Sequence, residues 1–301
     1  MLKEWPLVAF TIAGQMAVGV FCFLLFPLLL LLSPGTSWSE TARHTVLIVW
    51  GGTFGFIAIA AALSLFHLHH PFRAHHTLAN LRSSWLSREI FFELAFMALV
   101  ALAFVLVWTG HTRGLFLRAV MSASALAGIM FLVSMSKLYM LKSLPPWNSA
   151  YTGISFFMSA ATLGAMATAW VTGSPPGNPG SYFSALWTAA LFFVASDILF
   201  AVLLTPQYGA AGFRPGPSLR PPPRALRRLY FGRLALLAGG LILAVLGMAQ
   251  TVPGSAGGFG STPMAAAGQA GPIMTMAFVL VLLGEIAGRF LFYGLVPRPG
   301  D

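Results

Sequence analysis

The chain has 301 residues, of which 57% are hydrophobic and only 8% are charged, and its formal net charge is +10. A soluble domain carries roughly 25% charged residues, so this composition excludes a water-soluble globular protein. We expect membrane lipid to surround the protein and expect no nucleic-acid partner.

Long apolar stretches fill most of the chain. A helix needs about 20 apolar residues to cross a bilayer, and these stretches are too long for the strands of a membrane barrel. The sequence therefore predicts an all-α integral membrane protein, an eight-transmembrane-helix bundle that forms a single domain over 1–301. The predicted spans cover 6–32, 46–66, 89–108, 115–138, 152–171, 182–204, 230–249 and 273–296.

The residues that could hold a metal or haem are few. The one cysteine, Cys22, cannot hold an iron–sulfur cluster, which generally needs four protein ligands. All seven histidines lie at span ends or in loops, so none is placed to ligate a haem inside the bundle. The sequence therefore predicts no intrinsic haem, iron–sulfur cluster or metal site. The pairs His69-His70 and His75-His76 could bind a metal ion through their imidazoles, but no cysteine or carboxylate nearby completes a ligand set, and we interpret them as a solvated polar loop.

Basic residues are distributed unevenly between the two ends of the spans. With eight spans both termini lie at one face, here called the N-face. Of the 17 Lys and Arg residues, only Arg43, Arg113 and Arg118 belong to the other face. The positive-inside rule then predicts that the N-face, with both termini, is cytoplasmic. Several arginines lie in the loop 205–229, and they could instead bind a partner protein.

Three ionisable residues lie where two predicted spans meet the N-face. His67 is the first polar residue after the second span, and Glu89 and Glu93 begin the third. Ionisable groups at a membrane boundary are functional candidates, and an unperturbed histidine, with a pKa of about 6.5, suits proton uptake at neutral pH. The alternatives are a histidine that caps its helix and a salt bridge from either glutamate to Arg82 or Arg88.

Further ionisable residues lie within the later spans. Glu285 and Arg289 are four residues apart, a spacing that favours an ion pair, either structural or part of a site. Asp197 has no obvious partner in the sequence, so it is either protonated or hydrogen-bonded to another helix. Small residues that permit close helix contact are Gly14, Gly19, Gly284 and Gly288.

Three patches, in the same order along the chain, resemble the membrane anchor subunit family of anaerobic dimethyl sulfoxide reductase (DmsC). They are Glu4-Trp5-Pro6-Leu7 with Phe10-Thr11 and Gly14-Gln15; Leu65-Phe66-His67-Leu68 with Pro71, Arg73-Ala74 and Glu89-Ile90; and Gly284-Glu285 with Gly288-Arg289 and Phe292-Tyr293-Gly294-Leu295.

The resemblance implies a subunit that oxidises menaquinol from the quinone pool in a bacterial cytoplasmic membrane during anaerobic respiration. Electrons would pass to a ferredoxin-like iron–sulfur subunit and then to a molybdopterin catalytic subunit, so the catalytic centre would lie outside this chain. It also implies that His67 and Glu89 bind quinol, and Arg73 fits the same pattern. For orientation it implies the opposite of the charge count, with the N-face outside the cytoplasm.

Two other functions remain open from the residues. The intramembrane carboxyls could serve a proton-coupled secondary transporter, although neither internal repeats nor broken helices are evident. The chain could also be the quinone-linked anchor of a different molybdenum or tungsten oxidoreductase. It departs from the family pattern at His69-His70 and in its Arg-rich loop 205–229.

Overall fold

The protein is described here by a computed structural model, which covers residues 5–31, 40–65, 80–112, 114–144, 147–172, 182–204, 224–251 and 263–294. These residues contain eight helices that are long and apolar enough to cross a membrane. The predicted all-α, eight-helix fold is thereby confirmed. In chain order the helices are α1 (Trp5–Leu31), α2 (Glu40–Leu65), α3 (Trp85–Trp108), α4 (Leu115–Tyr139), α5 (Ala150–Thr172), α6 (Tyr182–Leu204), α7 (Arg224–Thr251) and α8 (Pro263–Gly294).

Large apolar side chains are exposed along these helices. Ile48 is 66% exposed, Leu115 83% and Phe192 64%. Such surfaces are unfavourable in water but match the hydrocarbon of a bilayer, where lipid tails are as apolar as the side chains. The exposed residues therefore agree with the composition in indicating a membrane protein.

Several helices begin before the apolar run that predicted them. The helix α2 begins at Glu40 where the predicted span begins at 46, α3 at Trp85 where 89 was predicted, and α7 at Arg224 where 230 was predicted. Hydropathy detects only the part of a helix that lies in hydrocarbon. Arg and Glu are good helix formers, so the helices continue through polar residues beyond that part.

Two compact units divide the chain, one from Trp5 to Gly164 and the other from Ala165 onward. The helix α5 is divided between them. A single domain over 1–301 therefore stays a prediction, and the two units are described separately.

The first unit contains a four-helix arrangement of α1 to α4. Phe21 of α1 stacks on Trp50 of α2, with ring centroids 5.4 Å apart, and meets Phe96 of α3 edge-on at 5.7 Å. A Cβ atom on Gly128 of α4 would lie 3.1 Å from Cγ1 of Val18 and 3.2 Å from Cδ2 of Phe96. These buried contacts place Phe96 between α1 and α4.

Glycines bring helices of the first unit close together. A Cβ atom on Gly19 of α1 would lie 2.8 Å from Cα of Gly164 in α5 and would collide with the carbonyl of Ala160. A Cβ atom on Gly14 would lie 2.9 Å from Cε1 of Phe131 in α4. The prediction that these two glycines permit close helix contact is confirmed.

In the second unit α7 and α8 pack antiparallel through small residues. A Cβ on Gly240 would lie 2.6 Å from Cγ2 of Val281, and a Cβ on Gly284 would lie 2.8 Å from Cδ2 of Leu237. Nearer the end of α8, a Cβ on Gly288 would lie 2.8 Å from Nε of Arg233. The predicted roles of Gly284 and Gly288 are confirmed, and Gly288 leaves room for a buried guanidinium group.

Candidate functional site

The start of α3 is fixed by hydrogen bonds that the local sequence provides. The hydroxyl of Ser84 accepts from the backbone N–H of Ser87 at 3.3 Å, as an N-cap residue does. Arg88 lies over the ring of Trp85, with its Cζ atom 4.2 Å from the ring centroid. Because the helix begins at Trp85, Glu89 lies one turn inside the helix and not at its first residue.

Glu89 and Glu93 both point into the first unit. They are only 3% and 4% exposed, and their buried stripe continues along α3 through Phe96, Val100, Ala103 and Val107. Among the described residues, Oε1 of Glu89 and Oε1 of Glu93 have no hydrogen-bond partner. Because buried polar atoms are nearly always hydrogen-bonded, these two oxygens mark a candidate ligand site.

The nearest arginines in the sequence do not neutralise these glutamates. Nε of Arg88 donates to the carbonyl of Leu81 at 2.8 Å, and its Nη2 donates to the carbonyl of Arg82 at 2.8 Å. The ion pairs found among the described residues include neither Glu89 nor Glu93. The alternative prediction, a salt bridge from either glutamate to Arg82 or Arg88, is therefore wrong.

A third buried polar group lies at the same height in the first unit. Phe21 of α1 and Phe96 of α3 are in contact and so define a common height. Gln15 precedes Phe21 by six residues, and Glu89 precedes Phe96 by seven. From Gly128, which contacts Phe96, seven residues lead on to Met135 in the antiparallel α4. At about 1.5 Å of rise per residue, Gln15, Glu89 and Met135 lie within about one helical turn of the same height.

Gln15 is fully buried, and its amide is only partly satisfied. Its Nε2 lies 3.9 Å from Sδ of Met135, a weak acceptor. Its Oε1 has no hydrogen-bond partner in the described part of the chain. Gln15 belongs to the first family patch but was not predicted as a site residue, although a glutamine inside an apolar span was a visible signal. Gln15, Glu89 and Glu93, which are buried polar residues at neighbouring heights in the first unit, are here called the α1/α3/α4 site.

Two of the predicted quinol-binding residues cannot be compared with this geometry. His67 and Arg73 lie outside the described residues, as do the pairs His69-His70 and His75-His76. The described residues include no group of three or more His, Cys, Asp or Glu side chains that could hold a metal ion. The described part of the predicted site is therefore Glu89.

A second set of buried ionisable residues lies in the second unit. Nη2 of Arg233 in α7 donates to both carboxylate oxygens of Asp197 in α6, at 3.1 and 2.9 Å, and lies 3.8 Å from Oε1 of Glu285 in α8. Of the two alternatives for Asp197, hydrogen bonding to another helix is confirmed. Glu285 and Arg289 are both buried, at 1% and 3% exposure, and their pairing with each other stays a prediction.

Comparison with known proteins decides the family. Residues 1–208, which include the α1/α3/α4 site, match the family described as the DMSO reductase anchor subunit, DmsC. The chain belongs to the DmsC family. It is thus a membrane anchor of the DMSO reductase type, and the resemblance noted in its three sequence patches is confirmed.

Individual DmsC proteins are similar along nearly the whole sequence. The C subunit of anaerobic dimethyl sulfoxide reductase from Escherichia coli is 26% identical over 310 residues, covering 97% of this protein and 94% of the relative. The YnfH subunit of anaerobic dimethyl sulfoxide reductase from the same organism is 26% identical over 316 residues, with the same coverage of 97% and 94%. The C subunit from Haemophilus influenzae is 33% identical over 158 residues, 52% of this protein and 54% of the relative. No solved structure matches the sequence.

Proposed function

We propose that this DmsC-family protein oxidises menaquinol in the bacterial cytoplasmic membrane and passes the electrons to an iron–sulfur subunit in anaerobic respiration. The quinol would bind at the N-face end of the first unit, against Glu89, with His67 and Arg73 as further contacts. The observation that carries the proposal is the buried carboxyl of Glu89, whose Oε1 lacks a hydrogen-bond partner among the described residues.

A quinol hydroxyl fits the carboxyl of Glu89 chemically. A buried polar group without a partner is unfavourable by about 1–3 kcal/mol, and a hydroxyl donor removes that penalty. Glu89 therefore offers the hydrogen-bond acceptor that a quinol hydroxyl needs.

Proton transfer follows from the same arrangement. Oxidation of one quinol breaks two O–H bonds and releases two electrons. Glu89 accepts a proton from the bound hydroxyl as general base. His67, which follows α2 in the sequence, would receive that proton at the membrane boundary and release it to water. Arg73 would orient the quinol ring through a hydrogen bond donated by its guanidinium group.

The electrons need partners outside this chain. The relatives are named as parts of anaerobic dimethyl sulfoxide reductase, so the proposed assembly contains a ferredoxin-like iron–sulfur subunit and a molybdopterin catalytic subunit. Mild-detergent purification of the protein from its native membrane, followed by metal analysis and mass spectrometry, tests this. Molybdenum or tungsten with iron, together with both subunits, is the expected result, and a protein that purifies alone and free of metal contradicts it.

Two substitutions test the quinol site. In the assembled complex, Glu89→Gln and His67→Ala should each lower quinol-dependent turnover by about 10²-fold or more, since general-base catalysis contributes that much. Turnover with a reduced dye that donates directly to the iron–sulfur subunit should be unchanged, which shows that the complex has assembled. Glu40→Gln is the matched control because Glu40 is an exposed carboxyl at the other end of the first unit, 66% exposed. Normal quinol turnover in both site variants would overturn the assignment.

A further inference from the structure

We propose that Glu93 is a second proton acceptor of the same site, one helical turn deeper than Glu89. The inference rests on the proposed function, because it takes the substrate to be a quinol. Glu93 would receive one of the two hydroxyl protons of the quinol and pass it to Glu89, which accepts the other proton directly and hands both on towards the N-face.

The two carboxyls are placed for such a transfer. Residues four apart on a helix have Cβ atoms about 5–6 Å apart, a distance that two carboxyl groups span directly or through one water molecule. Both side chains belong to the buried stripe of α3. Both are more than nine-tenths buried and have an oxygen without a partner among the described residues.

Glu93 is also the last polar residue of that stripe. The next buried residue is Phe96, which is 0% exposed and packs between Phe21 and Gly128. Beyond it the stripe continues with Val100, Ala103 and Val107 only. A proton accepted at Glu93 is thus separated from the other face by apolar packing, and Glu89 is its neighbour on the way out.

The charged groups on the helices around α3 lie away from the pair. In α2, Arg43 donates from Nε and Nη2 to the carbonyls of Val107 and Trp108, at the far end of α3, at 3.2 and 2.8 Å. Glu40 and His44 pair with each other at that same end of α2, at 3.2 Å.

None of the ion pairs found among the described residues joins a titratable residue of α1 or α4 to Glu93. In α4, Arg118 lies in the first turn, at the far end; Lys137 lies in the last turn, at the same end as Glu89, but its side chain is exposed. Tyr139 packs against Trp147 and Phe156, with ring centroids 5.5 and 5.7 Å away. Cys22 of α1 follows Phe21, beyond the level of Phe96. Among the described residues of α1 to α4, the neighbour placed to exchange a proton with Glu93 is Glu89.

With this pair of carboxyls, the protons and electrons of each quinol oxidation are accounted for. The two O–H bonds of the quinol break in succession; one proton passes to Glu89 directly, the other reaches Glu89 through Glu93, and both leave at the N-face. The two electrons go to the cluster of the iron–sulfur subunit, and the oxidised quinone leaves the site. Because the protons leave one after the other, the pair is never required to hold both of them.

The test compares isosteric variants in the assembled complex, with a short-chain menaquinol analogue as donor. Glu93→Gln keeps the shape and the hydrogen-bonding capacity of the side chain and removes only its ability to take up a proton. We expect kcat to fall by about 10²-fold, KM to change little and dye-linked turnover to stay normal. Glu40→Gln is again the matched control. If Glu93→Gln does not assemble, Glu93→Asp and Glu93→Asn give the same comparison at a smaller volume.

The outcomes separate this inference from the proposed function. Slow quinol turnover in Glu89→Gln and in Glu93→Gln, with recovery in Glu93→Asp but not in Glu93→Asn, supports both. Slow turnover in Glu89→Gln with normal turnover in Glu93→Gln overturns the role of Glu93 alone. Normal turnover in both variants of Glu89 and Glu93 overturns the quinol site and the inference with it. Equal loss in Glu93→Asp and Glu93→Asn would indicate a packing role and overturns the inference as well.

Discussion

Nη2 of Arg233 lies 3.1 and 2.9 Å from the two carboxylate oxygens of Asp197, and this contact joins α6 to α7 inside the second unit. The two side chains are 8% and 2% exposed. Their mutual attraction offsets the desolvation of both charges, and the room for the guanidinium is provided by Gly288. The pair therefore constrains how α6, α7 and α8 pack.

We predict that Asp197→Leu destabilises the protein by about 3–5 kcal/mol, because it leaves a buried guanidinium without its main partner. Glu285 lies 3.8 Å from Arg233 and compensates only in part. Adding Arg233→Met to Asp197→Leu removes the guanidinium charge that has lost its carboxylate, so the double variant should unfold at a higher temperature than the single one. Thermal unfolding of the purified protein in detergent measures both. A double variant that is less stable than Asp197→Leu would show that the charge of Arg233 is stabilised by other groups.

A second prediction concerns the contact between Gly19 and Gly164. In Gly19→Ala the new Cβ would meet the carbonyl of Ala160 and the Cα of Gly164, which are backbone atoms that cannot rotate away. We expect the free energy of unfolding to fall by about 3 kcal/mol, the upper end of the range typical of overpacked sites. Gly153, also in α5, is the matched control because a Cβ there meets nothing within 4 Å. Gly153→Ala should be neutral or stabilising by about 0.5–1 kcal/mol, and equal losses in the two variants would contradict the packing argument.

The eight spans could be predicted because hydropathy over about 20 residues is a strong signal for a membrane helix. The residues at which the helices begin were harder to predict. The helix α3 begins at Trp85 because Ser84 caps it, and α8 begins at Pro263 although the predicted span begins at 273. Both extensions lie in polar or Ala/Gly-rich sequence, where hydropathy gives no signal and capping or helix propensity decides.

The candidate site could be predicted only in part, for a different reason. Glu89 and Glu93 were visible as carboxyls at a membrane boundary, and their i,i+4 spacing placed them on one face. That Gln15 lies at their level, and that Arg233 meets Asp197, depends on the register between helices distant in sequence. Periodicity within one helix carries no information about that register, so a lone polar residue in a span can be noticed but not paired.

The orientation of the protein in the membrane gives a third prediction. The charge count places the N-face in the cytoplasm, whereas the family resemblance implies that it lies outside. Ser83 and His111 are exposed residues just before and just after α3, so they report on its two ends. In a Cys22→Ser background, we expect a membrane-impermeant maleimide added to intact cells to label His111→Cys and not Ser83→Cys.

Both variants should react once the cells are permeabilised, which controls for local accessibility. Labelling of Ser83→Cys alone in intact cells would overturn the orientation that the positive-inside rule predicts. The basic residues of the N-face, including exposed Arg224, Arg227 and Arg228 at the start of α7, would then contribute to partner binding and not to topology. The result also decides on which side of the membrane protons from the proposed quinol site are released, because Glu89 lies at the Ser83 end of α3.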